Sequence, residues 1–313
     1  MTRIFLIYVS FFVLLICNGC TTGIEGTKTI KMSKSERREM APTDEETLSA
    51  KFVSRPVAEW TIGKKFYVSD NKIQYLLENA GHDLSFDMKG HILEYIGYES
   101  KASAGDSKTL QIRFKDLQDN KHYLYNTGRE IAGALKSLRG TDLPALIDME
   151  LIEKVNTELA ERQLWILTQL WYDKSQNPVK GKKFVPVRLI KAIPGDMNFP
   201  ILLEMSDEDN NSFYLFMNVM NGSSVVGESR TFPSIFSLGD PRNRYPAIQD
   251  EIWTNIQNGN ISLGMTKEEC RLSLGNPDDV DSGHNWNNTI DIWRYKNGTF
   301  LQFEDGLLVN FRK

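Results

Sequence analysis

Two dipeptides near the end of the chain, Asn297-Gly298 and Asp305-Gly306, each stand between short apolar runs. That arrangement is the strongest short-range signal for a β-hairpin, because the tight turn needs backbone angles that Asn, Asp and Gly adopt at little cost. It predicts three strands, over residues 290–295, 299–303 and 307–311, in which Ile290 and Ile292, then Leu301 and Phe303, alternate with polar neighbours. Two helices are expected ahead of them. Ile248, Ile252, Trp253 and Ile256 share one helical face, and Asn258-Gly259-Asn260 stops that helix. Thr266 followed by Glu269 forms a capping box, in which hydroxyl and carboxylate each satisfy an orphan backbone N–H. Gly275 and Pro277 end this second, short helix. Two helices on one face of a three-stranded meander make an α+β unit over residues 245–313.

Leu263-Gly264-Met265-Thr266-Lys267-Glu268-Glu269, Leu274-Gly275-Asn276-Pro277, Trp293-Arg294-Tyr295 and Leu301-Gln302-Phe303-Glu304-Asp305-Gly306 follow one another in this order. Together they resemble the BamE/SmpA/OmlA-type outer-membrane lipoprotein domain, over residues 248–313. The resemblance implies an accessory protein of the outer membrane, working by contact with barrel-assembly machinery or other envelope components. The smallest members of that family carry the domain soon after a lipidated cysteine, whereas here a long stretch of chain intervenes. Candidate contact residues are Trp286, Arg294 and Tyr295, since aromatic side chains and Arg are enriched at interface hot spots. Trp293, in the same run, is expected in the core.

The chain begins with Arg3, an apolar run over residues 4–16 broken only by Ser10, and Cys17-Asn18-Gly19-Cys20. This reads as an export signal over residues 1–19. The run falls short of the roughly 20 apolar residues that a transmembrane helix needs. The residues leave open an ordinary signal peptide cut near Gly19 or an uncleaved anchor. The ending resembles a bacterial lipobox, which implies a diacylglyceryl thioether on Cys20, usually with an added N-acyl (palmitate) chain. Two or more acyl chains hold a protein stably on a membrane where one does not. The expected location is therefore the cell envelope of a Gram-negative bacterium, on the outer membrane, with membrane lipid as one partner and an envelope protein as another. Cys17, Cys20 and Cys270 are the three cysteines. After cleavage and acylation Cys270 stands alone, so it is expected as a small buried hydrophobe rather than half of a disulfide.

Residues 20–55 are polar, with charges of both signs, and are expected to form a flexible tether. Beyond them two stretches resemble each other. Gly63-Lys64-Lys65-Phe66 recurs as Gly181-Lys182-Lys183-Phe184, and Leu110–Asp116 parallels Ile201–Asp207. The match runs on without a gap from residues 120–125 to 211–216, with apolar arms around an Asp/Asn-rich turn, as in a β-hairpin. Two small β-rich units, 56–140 and 175–244, are expected, each a partly open barrel. Between them, residues 141–174 are expected to be a helical connector, because Leu151, Val155, Leu159, Leu164, Leu167 and Leu170 recur at three- to five-residue spacing. Trp165 and Trp171 would fill the adjoining core.

The 41% hydrophobic and 11% aromatic residues suffice for packed cores, and a formal charge of −4 leaves no basic footprint for nucleic acid. His82, His91, His122 and His284 lack metal-ligand spacing, and no nucleophile elbow or phosphate loop is present. The acidic turn 206–211 lacks the glycine and the closing glutamate of a calcium loop. The expected function is that of a non-catalytic envelope lipoprotein that binds protein or cell-wall partners, needing no metal or cofactor. The alternative is a glycan- or peptide-processing enzyme, or a surface substrate-binding lipoprotein, with a polar-lined cleft between domains.

Overall fold

A computed structural model describes residues 41–78, 87–102, 108–219, 230–284 and 288–313. The fold is α+β, with mostly antiparallel sheets, one of them half-barrel-like, and few helices.

The first sheet holds β1 (Lys65–Val68), β2 (Ile92–Ala102), β3 (Lys108–Asp116), β4 (His122–Glu130) and β5 (Leu146–Asp148), in the order β4-β3-β2-β1-β5. Period-two burial explains these strands: Phe66 and Val68 point inward from β1, and Leu110, Ile112 and Phe114 from β3, while Arg113 stays outside. Helix α1 (Asp44–Ser49) precedes this sheet, and α2 (Ile131–Ser137) covers it with Ala134 and Leu135.

The second sheet holds β6 (Gln163–Ile166), β7 (Leu170–Tyr172), β8 (Pro178–Lys180), β9 (Pro186–Pro194), β10 (Ile201–Ser206), β11 (Ser212–Met217) and β12 (Phe236–Ser237). Their order is β12-β6-β9-β10-β11-β7-β8. Helix α3 (Met149–Leu159) packs on it through Leu151, Ile152, Val155 and Leu159, and the short α4 (Phe232–Ile235) adds Phe232 and Ile235 to the same core. Asn156 fastens α3 to the sheet by donating to the Ala192 carbonyl at 2.9 Å and accepting from the Ala192 N–H at 2.7 Å.

The two sheets share a strand order. β4-β3-β2-β1-β5 in the first corresponds to β11-β10-β9-β6-β12 in the second, and in each a late strand returns to pair with the first (Val68 with Leu146, Ile166 with Phe236). The strand standing where Lys65–Val68 stands is therefore Gln163–Ile166, with the same in-out burial. Gly181–Phe184 lies outside any strand, so the repeated Gly-Lys-Lys-Phe marks no common position. The hairpins also differ by one residue. Lys115 pairs with His122 and Ser206 with Ser212, so the second turn is shorter. A gapless alignment sets buried Tyr123 against half-buried Tyr214, whereas the buried counterpart is Phe213.

Two further expectations are corrected. Residues 141–174 are α-helical only over Met149–Leu159, and the rest includes the end of a 3-10 turn (Gly140–Asp142), β5, β6 and β7. Leu164 and Ile166 alternate with Trp165, a strand pattern that leucine spacing alone conceals. Residues 20–40 of the expected tether lie outside the described residues, whereas residues 42–55 belong to the fold: Thr43 and Glu46 cap α1, and Leu48 and Phe52 enter the core of the second sheet, Phe52 meeting Phe232 edge-on at 5.7 Å.

At the C-terminus, α5 (Asp250–Gln257) and α6 (Lys267–Leu274) lie on a sheet of β13 (Asp279–His284), β14 (Thr289–Arg294), β15 (Phe300–Glu304) and β16 (Leu307–Arg312), ordered as in the chain. The Thr266–Glu269 capping box closes at the start of α6, and Gly275 ends it at φ +86°. The meander thus has four strands where three were expected. β13 is an edge strand with one neighbour, so its Asp, Ser and Gly residues meet solvent and read in the sequence as a turn.

Candidate functional site

The C-terminal sheet sends alternate residues to two faces. Asp291, Trp293, Leu301, Phe303 and Leu308 point toward the helices, where Trp293 packs on Phe303 at 4.6 Å and the Arg271 guanidinium lies 4.7 Å from the indole. Ile290, Ile292 and Phe300 occupy the other face and remain part-exposed. Across that outer face one register row reads Asp279, Arg294, Phe300, Arg312 and the next Asp281, Ile292, Gln302, Asn310. An apolar centre is thereby ringed by charge.

The residues expected at the contact surface separate here. Arg294 lies on the outer face, its Nη1 2.7 Å from Asp279 Oδ2 and its Nη2 3.9 Å from Asp281 Oδ2. Tyr295 follows the strand and donates its hydroxyl to the Gly275 carbonyl at 3.1 Å, and burial, with Cys270 beside it, pushes the phenol up to about 12. Trp293 is 1% exposed and belongs to the core. Trp286 and Cys20 lie outside the described residues. Cys270 is fully buried on α6, and burial, then Glu269, push its thiol up to about 12, which makes it a poor nucleophile.

A second feature lies between the second sheet and the C-terminal helices, and sequence reasoning passed over it. A cleft of about 440 Å³, within the range of small-ligand sites, is lined by Trp171, Lys180, Lys182, Asp207, Glu208, Asp209, Asn258 and Asn260. Its acidic wall is the β10–β11 turn. Asp207 is consumed by the turn itself, since its Oδ1 accepts the Asp209 and Asn211 N–H groups at 3.0 and 2.8 Å. Asn210 takes a φ of +60°, which Asn tolerates. Glu208 and Asp209 are left projecting from a fixed turn.

The floor is rigid. Trp171 stacks on Phe213 with ring centroids 3.8 Å apart, and its indole N–H donates to the Thr168 carbonyl at 3.1 Å. Gly181 passes over the ring so closely that a Cβ there would stand 2.0 Å from an indole carbon. The basic wall follows from this glycine: Lys180 and Lys182 flank it and are exposed. Behind them Lys183 is buried, donates to the Ser273 carbonyl at 2.6 Å, and is held by desolvation at about 8. Together with the Gln169 amide, which donates to the Gln257 carbonyl at 3.1 Å, and Phe184 stacked on Trp253 at 5.6 Å, it joins the cleft's two sides.

No family model, curated protein or solved structure matches this chain. Among the described residues no helix is long and apolar enough to cross a membrane, and no group of three His, Cys, Asp or Glu is placed to hold a metal ion.

Proposed function

We propose that this chain is a lipid-anchored envelope protein, acylated on Cys20, that acts by binding protein or cell-wall partners rather than by catalysis. Its task on this reading is assembly or maintenance at the outer membrane of a Gram-negative bacterium. The observation that carries the proposal is the outer face of the C-terminal sheet. Among the described residues no helix covers its Ile290, Ile292 and Phe300, while the inner face is packed by the two C-terminal helices. An apolar centre with a charged rim is the common anatomy of a protein-binding patch. The N-terminal run ending at Cys20 and the resemblance of residues 248–313 to BamE-type domains support the same reading. The shared strand order of the first two sheets supports their reading as a duplicated β-rich unit.

The test is crosslinking in intact cells, comparing wild type with Cys20→Ala. Capture of barrel-assembly components that depends on Cys20 is the expected result. Equal capture by both forms would remove the anchor from the proposal, and capture of nothing after mild crosslinking would remove the binding role.

A further inference from the structure

The cleft beside Trp171 has walls of opposite charge that do not touch. Lys180 and Lys182 form one side, Glu208 and Asp209 the other, yet among the described residues none of the four is in an ion pair within 4.0 Å. Elsewhere on this surface exposed charges do pair, as Lys121 does with Asp119 at 3.0 Å and Lys296 with Asp278 at 3.3 Å. Long side chains left apart across one concavity keep both of their charges for a third body.

The floor supplies shape. Trp171 is clamped between Phe213 and the Gly181 backbone, so neither face of the indole is open for stacking. Apart from Asp207, whose carboxylate is held within its own turn, the remaining polar side chains are neutral: Asn260, and Asn258, whose Nδ2 donates to the Thr254 carbonyl at 2.8 Å and whose Oδ1 remains to accept. Neutral amides lining the same cleft as the two charged groups match a peptide backbone with two charged ends.

We propose that this cleft binds a short peptide carrying both a free ammonium and a free carboxylate. The ammonium lies against Glu208 and Asp209, the carboxylate against Lys180 and Lys182, and the amides between them meet Asn258 and Asn260. Charge-assisted hydrogen bonds of this type contribute more than neutral ones. A ligand with only one of the two charges leaves the other wall unanswered. The site is remote in role from the outer face of the C-terminal sheet, and neither depends on the other.

The experiment is calorimetric titration of the full-length chain in detergent with tetra-alanine in four forms: free at both ends, N-acetylated, C-amidated and blocked at both ends. The free peptide is expected to bind, and each block to weaken binding about tenfold, the size of one lost hydrogen bond to a charged group. In Glu208→Gln/Asp209→Asn, acetylation is expected to make no further difference while amidation still does. In Lys180→Gln/Lys182→Gln the dependence is reversed. Thermal melts of both variants check that they fold. Equal affinity for all four peptides, or loss of all binding without this exchange of preferences in folded variants, would overturn the proposal.

Discussion

Lys64 and Asp148 form an ion pair sealed inside the protein, with Nζ 2.7 Å from Oδ1 and side chains 1% and 0% exposed. The pair joins the residue just before β1 to the end of β5, the neighbouring strands at one edge of the first sheet. Asp148 also accepts from the Ser54 hydroxyl and from the Glu150 N–H at 3.0 Å, where it caps α3, and Lys64 reaches Glu150 at 2.6 Å. Every charge in the cluster has partners, and that completeness is what makes removal of one member costly. Lys64→Met is expected to destabilise the protein by about 3–5 kcal/mol, because it strands a buried carboxylate. Lys64→Met/Asp148→Leu is expected to recover part of that loss. Urea denaturation of the two variants measures both, and additive losses would contradict the coupling.

Glu45 of α1 accepts from the Leu238 N–H at 2.9 Å and from the Ser237 hydroxyl at 3.2 Å, tying the N-terminal helix to β12. Burial raises the carboxyl, but the bonds from Leu238, from its own N–H and from Ser237 outweigh it and leave the group below the ordinary 4.5. A depressed carboxylate contributes stability that is full above its unfolded value and lost as pH falls through the folded one. The melting temperature of wild type should therefore fall more steeply below about pH 4.5 than that of Glu45→Gln. Parallel curves would mean that the contact adds nothing.

Lys183 is shifted in the same direction, downward, but for a different reason. Desolvation holds its ammonium at about 8, so between there and the ordinary 10.5 the unfolded chain keeps a proton that the folded protein releases. Stability rises with pH wherever the unfolded state binds more protons. From pH 8 toward 10.5 wild type should gain stability relative to Lys183→Met, read by urea denaturation at each pH. A constant difference across that window would show that the site does not titrate there.

Gly181→Ala would place a Cβ 2.0 Å from the Trp171 ring, which Phe213 prevents from retreating. The expected cost is about 1–3 kcal/mol, the usual range for overpacking. Gly239→Ala, where a Cβ meets nothing within 4 Å, is the control and should change stability little. Equal melting temperatures for the two variants would contradict a tight Trp171–Gly181 contact.

What could be read from the sequence is what neighbours in the chain decide. The Thr266–Glu269 cap, the stop at Gly275, the hairpin turns at Asn297-Gly298 and Asp305-Gly306, and the alternation that buries Leu301 and Phe303 all depend on residues a few positions apart. Cys270, expected as a small buried hydrophobe because it stands alone, and Trp293, expected in the core, are both buried. Tertiary structure alone decided the rest, because it depends on pairings between distant segments. Gln163–Ile166 is a strand because Pro186–Arg188 and Phe236–Ser237 flank it, although its leucine spacing reads as helix. Asp279–His284 is a strand because β14 supplies its backbone partners, although its composition reads as turn. One residue fewer in the second hairpin turn moves its return arm to the opposite face, a change of parity that letter-by-letter similarity cannot register. The cleft is the extreme case: Lys180, Glu208 and Asn258 carry no motif in the chain, and they line one concavity only because folding brings three separate segments together.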